Sequence, residues 1–331
     1  MPKRAFITGI AGQDGSYLAE LLLGKGYQVH GLIARSSHNP RERLAHLAAA
    51  ETSGQLQLHY GDLTDSSSLF RILTLADPDE LYNLGAQSHV AISFEIPEYT
   101  ANIVGLGTVR LLEWMRASKK PMRFFQASSA EMFGAAPAEV PQRETTPVFP
   151  TSPYACAKTF AHFMTINYRE NYQLFACTGI MFNHESPRRA ENFVTRKIAR
   201  GVAEILAGTR RELRLGNLAA EKDWGYAQDF VEAMWLSLQQ DKPDDYVIAT
   251  GESHAVQEFV DEAFRLAGLQ ASDYVVIDSQ FFRPTDTRRL VGDPGKAREK
   301  LGWQPRTSFR ALVRLMVEAD CARLGVKLPM V

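Results

Sequence analysis

The stretch that decides the fold is Arg4-Ala5-Phe6-Ile7-Thr8-Gly9-Ile10-Ala11-Gly12-Gln13-Asp14-Gly15. A short apolar run, Arg4–Thr8, stops at Gly9. Helical spacing follows through Tyr17, Leu18, Leu21 and Leu22. G-x-x-G-x-x-G is a variant of the dinucleotide fingerprint, and a lone match is weak. Here it lies between a strand and a helix, the context that the fingerprint demands. Glycine lets the backbone turn tightly and approach a pyrophosphate, whose charge the helix N-terminus favours. The plain alternative is a strand–helix turn that merely uses glycine. The context favours the dinucleotide reading, with Gly9, Ile10, Ala11, Gly12, Gln13, Asp14 and Gly15 as candidate contacts.

Outward from this turn, strand-like and helix-like segments alternate. Tyr27–Ile33, Leu56–Tyr60, Glu80–Leu84 and Arg123–Ala127 read as short strands, and Ser16–Gly24, Ser66–Ala76 and Asn102–Arg116 as helices. This βαβα order implies a parallel sheet covered on both faces. Right-handed crossovers make it a Rossmann-type doubly wound sheet, with ligands beyond the C-terminal strand ends. Residues 135–151 hold Pro137, Pro141, Pro147 and Pro150 and read as a long loop. Residues 179–187 read as irregular. Helical patterns return at about 193–208 and 308–324, and Tyr246–Ala249 reads as a strand rejoining the sheet. The expectation is an α/β protein. A nucleotide domain spans 1–178 plus about 226–253, and a smaller C-terminal α/β substrate-binding domain spans 179–225 plus 254–331.

The chain has 331 residues, with 37 Lys+Arg against 38 Asp+Glu and a net charge of −1. No basic excess exists to neutralise nucleic-acid phosphates or an anionic membrane, so neither partner is expected. Cys156, Cys177 and Cys321 are odd in number and far apart, which argues against a disulfide framework or a cysteine metal site. No apolar run reaches a membrane-spanning length, and the N-terminus lacks the apolar core of a signal peptide. A cytoplasmic protein without a structural metal is expected.

The end of the second strand bears on the cofactor. NAD-selective sites place an acid there for the ribose 2′-hydroxyl. Ala34-Arg35-Ser36-Ser37 has none, whereas Arg35 can pair with a 2′-phosphate and Ser36 can donate to it. NADP is the expected cofactor. Asp62 and Leu63 follow the third strand, where an acid can accept from the adenine amino group. Leu84, Gly85, Ala86, Gln87 and Ser88 follow the fourth, where small residues allow close approach to the cofactor's middle.

Ser152-Pro153-Tyr154-Ala155-Cys156-Ala157-Lys158 opens a helix, with Ser152 as N-cap and Pro153 as first helical residue. Tyr154 and Lys158 share one face. A nearby ammonium and an oxidised nicotinamide would lower the phenol pKa from about 10 and let it act as a base. The fifth strand ends Gln126-Ala127-Ser128-Ser129-Ala130-Glu131, which supplies a hydroxyl and a carboxylate opposite that helix.

With the glycine turn, Tyr-x-x-x-Lys resembles the extended short-chain dehydrogenase/reductase superfamily. Further stretches are similar to the GDP-mannose 4,6-dehydratase family nearly end to end, among them QASSAEMFG (126–134), FNHESPRR (182–189), KDWGYAQDFVEAMW (222–235) and GDPGKAREKLGW (292–303). The resemblance implies GDP-mannose as substrate and tightly held NADP. It makes Tyr154 the base at the 4-hydroxyl, with Lys158 beside it. Ser129 becomes the hydroxyl on the C4 oxygen, and Glu131 the acid that takes the C5 proton. It also implies cofactor contacts at Tyr99, His184 and Arg189. The sugar-nucleotide contacts are Ser88, Glu131, Asn183, Lys197, Gly216, Lys222, Arg283 and Asp286, and the assembly is a homodimer or homotetramer. Four positions depart from the family pattern: Ser129 for Thr, Ala130 for Ser, Gly85 for Ala, and Ala34 for the first Arg of a pair. The alternatives are a UDP-glucuronate decarboxylase, an epimerase, a 4-keto reductase and a non-catalytic NADP-binding protein. FNHESPRR and KDWG argue against the other enzymes, and the presence of both Tyr154 and Lys158 against the last.

Overall fold

A computed structural model describes residues 2–34, 41–118, 120–135, 137–282 and 289–329. Strands β1 (Arg4–Thr8), β2 (Gln28–Ile33), β3 (Leu56–Tyr60), β4 (Glu80–Asn83), β5 (Arg123–Ser129) and β6 (Phe175–Met181) join the Asp245–Ile248 strand in one seven-stranded sheet. The spatial order is Asp245–Ile248, β6, β5, β4, β1, β2, β3, and every pairing is parallel. The chain runs outward from β1 to β3, then returns past β1 to β4. The crevice between β1 and β4 is therefore the topological switch point, where ligands of such sheets bind.

Side chains alternate across the sheet, so Ile7 and Phe6 enter different cores. Ile7 packs with Leu18, Leu22, Val29, Phe230 and Met234. Phe6 packs with Leu69, Ile72, Leu111, Leu112 and Phe124 on the opposite face. Both faces being buried, the strands read as apolar runs rather than as alternating ones. A third buried cluster, including Ile198, Val202, Phe259, Val260, Leu312 and Met316, joins the Val194–Leu206, Val256–Leu266 and Phe309–Arg323 helices away from the sheet.

Two segments differ from the sequence reading. The 102–116 helix is two elements, a π-helix over Ala101–Leu106 that continues as an α-helix over Gly107–Ser118. Glycines permit the close packing there: a Cβ on Gly105 would lie 3.1 Å from the Phe160 ring, and one on Gly107 3.0 Å from the Leu63 Cβ. The stretch read as irregular at 179–187 carries the end of β6 and a further strand, Asn183–Glu185, paired with Trp224–Tyr226. Gly179 hid β6 because it looks like a break. A Cβ there would lie 2.5 Å from Phe125 Cζ, so the aromatic ring of β5 takes the space.

The proline-rich 135–151 stretch is held by Gln142, which is wholly buried. Its N–H donates to the Val291 carbonyl at 2.7 Å, and its side-chain oxygen accepts from Val291 N at 2.9 Å.

Candidate functional site

The glycine turn has the geometry that its residues allow. Gly9 has φ +68°, a region that costs L-residues with a Cβ. Gly12 N–H donates back to Gly9 O at 2.9 Å, and the Gln13–Gly24 helix begins at once. A Cβ on Gly15 would sit 2.3 Å from Gly9 O, so the third glycine lets the helix start lie against the turn. Thr8 pins the facing rim. Its hydroxyl accepts from Leu84 N at 3.0 Å and Gly85 N at 2.9 Å, and donates to Asn83 Oδ1 at 2.7 Å.

Between these rims opens a cavity of about 1230 Å³. Gly9, Ala11, Gly12, Gln13, Asp14, Gly15, Leu84, Gly85, Ala86 and Ser88 line it at the switch point. Ser129, Glu131, Tyr154 and Lys158 line it beyond β5, and Asn183, His184, Arg189, Lys197, Gly216 and Lys222 line the far wall. Ala34, at the end of β2, also faces it without an acid nearby in sequence.

The catalytic candidates come from two elements. Ser152 Oγ accepts from Ala155 N at 3.1 Å and caps the Pro153–Tyr172 helix, which sets Tyr154 and Lys158 one turn apart. Ser129 ends β5, and its hydroxyl accepts from Glu131 N at 3.2 Å. That bond opens the Ala130–Phe133 3₁₀ turn, which carries Glu131. Tyr154 and Lys158 are both buried. Burial pushes the Tyr154 phenol up to about 12. The hydrogen bond from Ser129 and the charge of Arg189 oppose the rise, and the Glu131 carboxylate adds to it. Burial pulls the Lys158 ammonium down to about 8, with Asp14 opposing. Lys158 Nζ lies 5.8 Å from the Tyr154 ring centre and donates to Ala127 O at 2.7 Å. In the protein alone, the strongest downward pulls on Tyr154 thus come from Ser129 and Arg189, not from the expected lysine.

His184 and Asp14 meet across the cavity floor, with Nε2 2.8 Å from Oδ2. Burial works against the charged ring, but the Asp14 carboxylate prevails and raises the His184 pKa. Gln13 Nε2 donates to His184 O at 3.0 Å, and Ser186 Oγ donates to Gln13 Oε1 at 2.8 Å. These bonds lash the Asn183–Glu185 strand and Ser186 to the start of the Gln13–Gly24 helix. Arg189 Nε lies 3.1 Å from Glu185 Oε2, and its guanidinium stacks 3.6 Å from the Phe193 ring centre. Lys197 Nζ lies 3.5 Å from the Phe281 ring centre. Gly216 faces the Phe281 backbone, where a Cβ would come within 2.6 Å of the carbonyl oxygen.

Some candidates do not line the cavity. Ile10 is fully buried, and its side chain fills the space at Gly31. Asp62 Oδ1 accepts from Thr64 N and Thr64 Oγ1, both at 2.8 Å. Leu63 packs in the core with Phe6 and Leu32. Gln87 bonds His89 and Thr100, and Tyr99 is exposed. Arg35, Ser36, Arg283 and Asp286 lie outside the described residues. Sequence reading missed Asn192, Gln280 and Phe281, which line the cavity from segments that carry no motif, and Asn217, the neighbour of the candidate Gly216. Among the described residues, no group of three or more His, Cys, Asp or Glu is placed to hold a metal, and no helix is long and apolar enough to cross a membrane.

A family model described as GDP-mannose 4,6 dehydratase matches residues 6–316. The chain is 56% identical over 325 residues to GDP-mannose 4,6 dehydratase 2 of Arabidopsis thaliana, covering 96% of this chain and 87% of that one. The fold is similar to a UDP-glucose 4-epimerase of Thermotoga maritima solved with UDP-glucose, with a TM-score of 0.85, 25% identity, and 97% and 99% of the two chains covered. It is also similar to the RMD of Pseudomonas aeruginosa complexed with NADPH, with a TM-score of 0.80, 23% identity, and 97% and 99% covered.

Proposed function

The chain belongs to the GDP-mannose 4,6-dehydratase family, and from that premise we propose that it converts GDP-D-mannose to GDP-4-keto-6-deoxy-D-mannose with loss of one water. The observation that carries the reading is the shared cavity. One space is lined by the glycine turn, by Ser129, Glu131, Tyr154 and Lys158, and by the cations Lys197 and Lys222.

The residues fit a nicotinamide dinucleotide. Gly15 has no Cβ to collide with the Gly9 carbonyl, so the helix start closes against the turn, and the turn lies at the N-terminus of the Gln13–Gly24 helix, where a pyrophosphate is favoured. We read the cofactor as NADP, because the end of β2 presents Ala34 rather than an acid. Gly9, Gly12, Gly15, Leu84 and Gly85 would hold it, with Lys158 on the ribose side. When bound, it supplies the site that accepts hydride from sugar C4 and returns it at C6.

The chain's own residues move the protons. Tyr154 takes the proton of the 4-hydroxyl as the C4 ketone forms. The ordinary phenol is too weak a base at neutral pH, and burial raises its pKa to about 12. The hydrogen bond from Ser129 and the charge of Arg189 already hold that rise back, and a cationic nicotinamide ring bound beside the phenol would lower it further. The C4 ketone acidifies the C5 proton, which Glu131 removes. Ala130 offers no second acid, so Glu131 hands that proton to the departing 6-hydroxyl. C5 takes up a proton from solvent as C6 gains hydride, Tyr154 gives its proton back to solvent, and the balance is GDP-mannose to product plus water. Lys197 and Lys222 provide positive charge for the diphosphate.

We read the exposed Phe160 and Phe163, on the outer face of the Pro153–Tyr172 helix, as the contact for a second copy in a homodimer or homotetramer. Three free cysteines are in keeping with a cytoplasmic protein. The test is mass spectrometry of GDP-mannose incubated with the purified protein, alongside assay of the copurified cofactor. A product lighter by one water, without net accumulation of NADPH, is expected. Unchanged GDP-mannose in the presence of folded, NADP-loaded protein overturns the reading.

A further inference from the structure

Between the cavity residues Lys222 and Trp224 stands Asp223, which is wholly buried. Its carboxylate reaches two other chain segments. Oδ1 accepts from Thr250 N at 2.9 Å and Thr250 Oγ1 at 2.7 Å. Oδ2 accepts from Gly251 N at 3.0 Å and Gly292 N at 3.2 Å. Its own N–H donates to Leu290 O at 3.1 Å. Among the described residues it has no cationic partner at ion-pair distance, so backbone and hydroxyl donors carry the whole task of satisfying the charge.

The neighbours on either side belong to different small sheets. Lys222 pairs with His254 and Leu290, while Trp224 pairs with Asn183. Asp223 is the joint between them. It also ties both to the turn after the Asp245–Ile248 strand, where Gly251 has φ +87°. The packing leaves little freedom: a Cβ on Gly292 would lie 2.3 Å from Ala249 Cβ. A buried carboxylate with four converging donors is costly to misplace, and Lys222, its neighbour in the chain, lines the cavity.

We propose that Asp223 is a positioning residue for sugar-nucleotide recognition, acting through Lys222, whose ammonium it holds on the cavity wall for an anionic diphosphate. This rests on the functional reading of Lys222 above.

The test is a double-mutant cycle on holoenzyme with GDP-mannose, measuring KM, kcat and, by calorimetry, the dissociation constants for GDP-mannose and NADP. Asp223→Asn keeps the shape but places a donor among donors. Its KM and GDP-mannose dissociation constant are expected to rise about tenfold or more, with kcat and NADP affinity within about twofold of wild type. Combined with Lys222→Ala, it is expected to add nothing further. Thr250→Val removes the hydroxyl donor to Oδ1 together with that hydroxyl's two bonds to the Glu252 backbone and is expected to shift KM in the same direction by less, while Thr250→Ser keeps the hydroxyl and the wild-type value. If Asp223→Asn does not fold, the Thr250 pair against Lys222→Ala runs the same cycle. Additive effects overturn the proposal, as does an equal loss of NADP affinity or an unchanged KM. A wild-type protein that yields no dehydrated product sinks the functional reading instead, and the GDP-mannose binding cycle still decides on Asp223.

Discussion

Tyr154 and Lys158 are buried ionisable groups whose shifts run in opposite directions, one up to about 12 and the other down to about 8. Burial favours the neutral form of each, so charging either one inside the fold costs stability. The Lys158 pKa is lower folded than unfolded. Native protein therefore binds fewer protons than unfolded chain between pH 8 and 10.5, and stability rises with pH across that window. Lys158→Met in cofactor-free protein is expected to raise Tm at pH 7, a gain on the order of 1–3 kcal/mol, with activity lost. The gain should shrink on approaching pH 10.5, and calorimetric scans at a series of pH values check it. Glu131→Gln is expected to lower kcat by about 10²–10⁴-fold with GDP-mannose affinity nearly kept, read by turnover and calorimetry. Full activity in that variant removes Glu131 as the acid and base. These residues were legible because a spacing of four on a helix and a hydroxyl–carboxylate pair at a strand end are local patterns. Gln280 and Phe281 were not, because nothing local marks a turn that distant packing presses against Lys197 and Gly216.

Elements fail where a neighbour needs space that the sequence does not advertise. Gly15→Ala puts a methyl 2.3 Å from the Gly9 carbonyl, which is backbone and cannot move aside. A loss above about 3 kcal/mol is expected in denaturant titrations. Gly85→Ala meets the Leu63 Cδ1 at 2.9 Å, the tip of a flexible side chain, so a cost below about 1.5 kcal/mol is expected. The same blindness explains the π-helix at Ala101–Leu106, whose widened turn answers to packing rather than to residue period. The β2–β3 pair holds another device. His30 Nδ1 lies 3.0 Å from His59 Nε2, with the rings stacked at 6°. Burial, the His59 ring and Arg4 bring the His30 pKa from 6.5 to about 4. Unfolded chain takes up that proton first, so stability falls as pH drops from 6.5 towards 4. His30→Gln is expected to flatten the dependence of Tm on pH over that interval.

At the scale of the molecule, the parallel sheet and its switch point follow from the order of apolar runs, because crossover handedness leaves few arrangements. The small sheets around Lys222 and Asn183 do not, since they are two- or three-residue pairings between segments far apart in sequence. A ligand that spans the crevice binds the folded chain alone and stabilises it by mass action. NADP at about one hundred times its dissociation constant is expected to add ~2.7 kcal/mol, with a larger Tm shift than NAD at equal concentration. Equal shifts remove the NADP preference.

The joint at Asp223 has a consequence for synthesis. Its acceptors are met by residues 250, 251 and 292, while the glycine turn and the Tyr154 helix emerge from the ribosome long before. At roughly 5–20 residues per second, the nascent chain spends several seconds with a nucleotide cleft whose far wall has no fixed position. Until residue 292 is released, a carboxylate destined for the interior stands in water. The last tenth of the chain thus decides when the enzyme becomes able to grip its sugar.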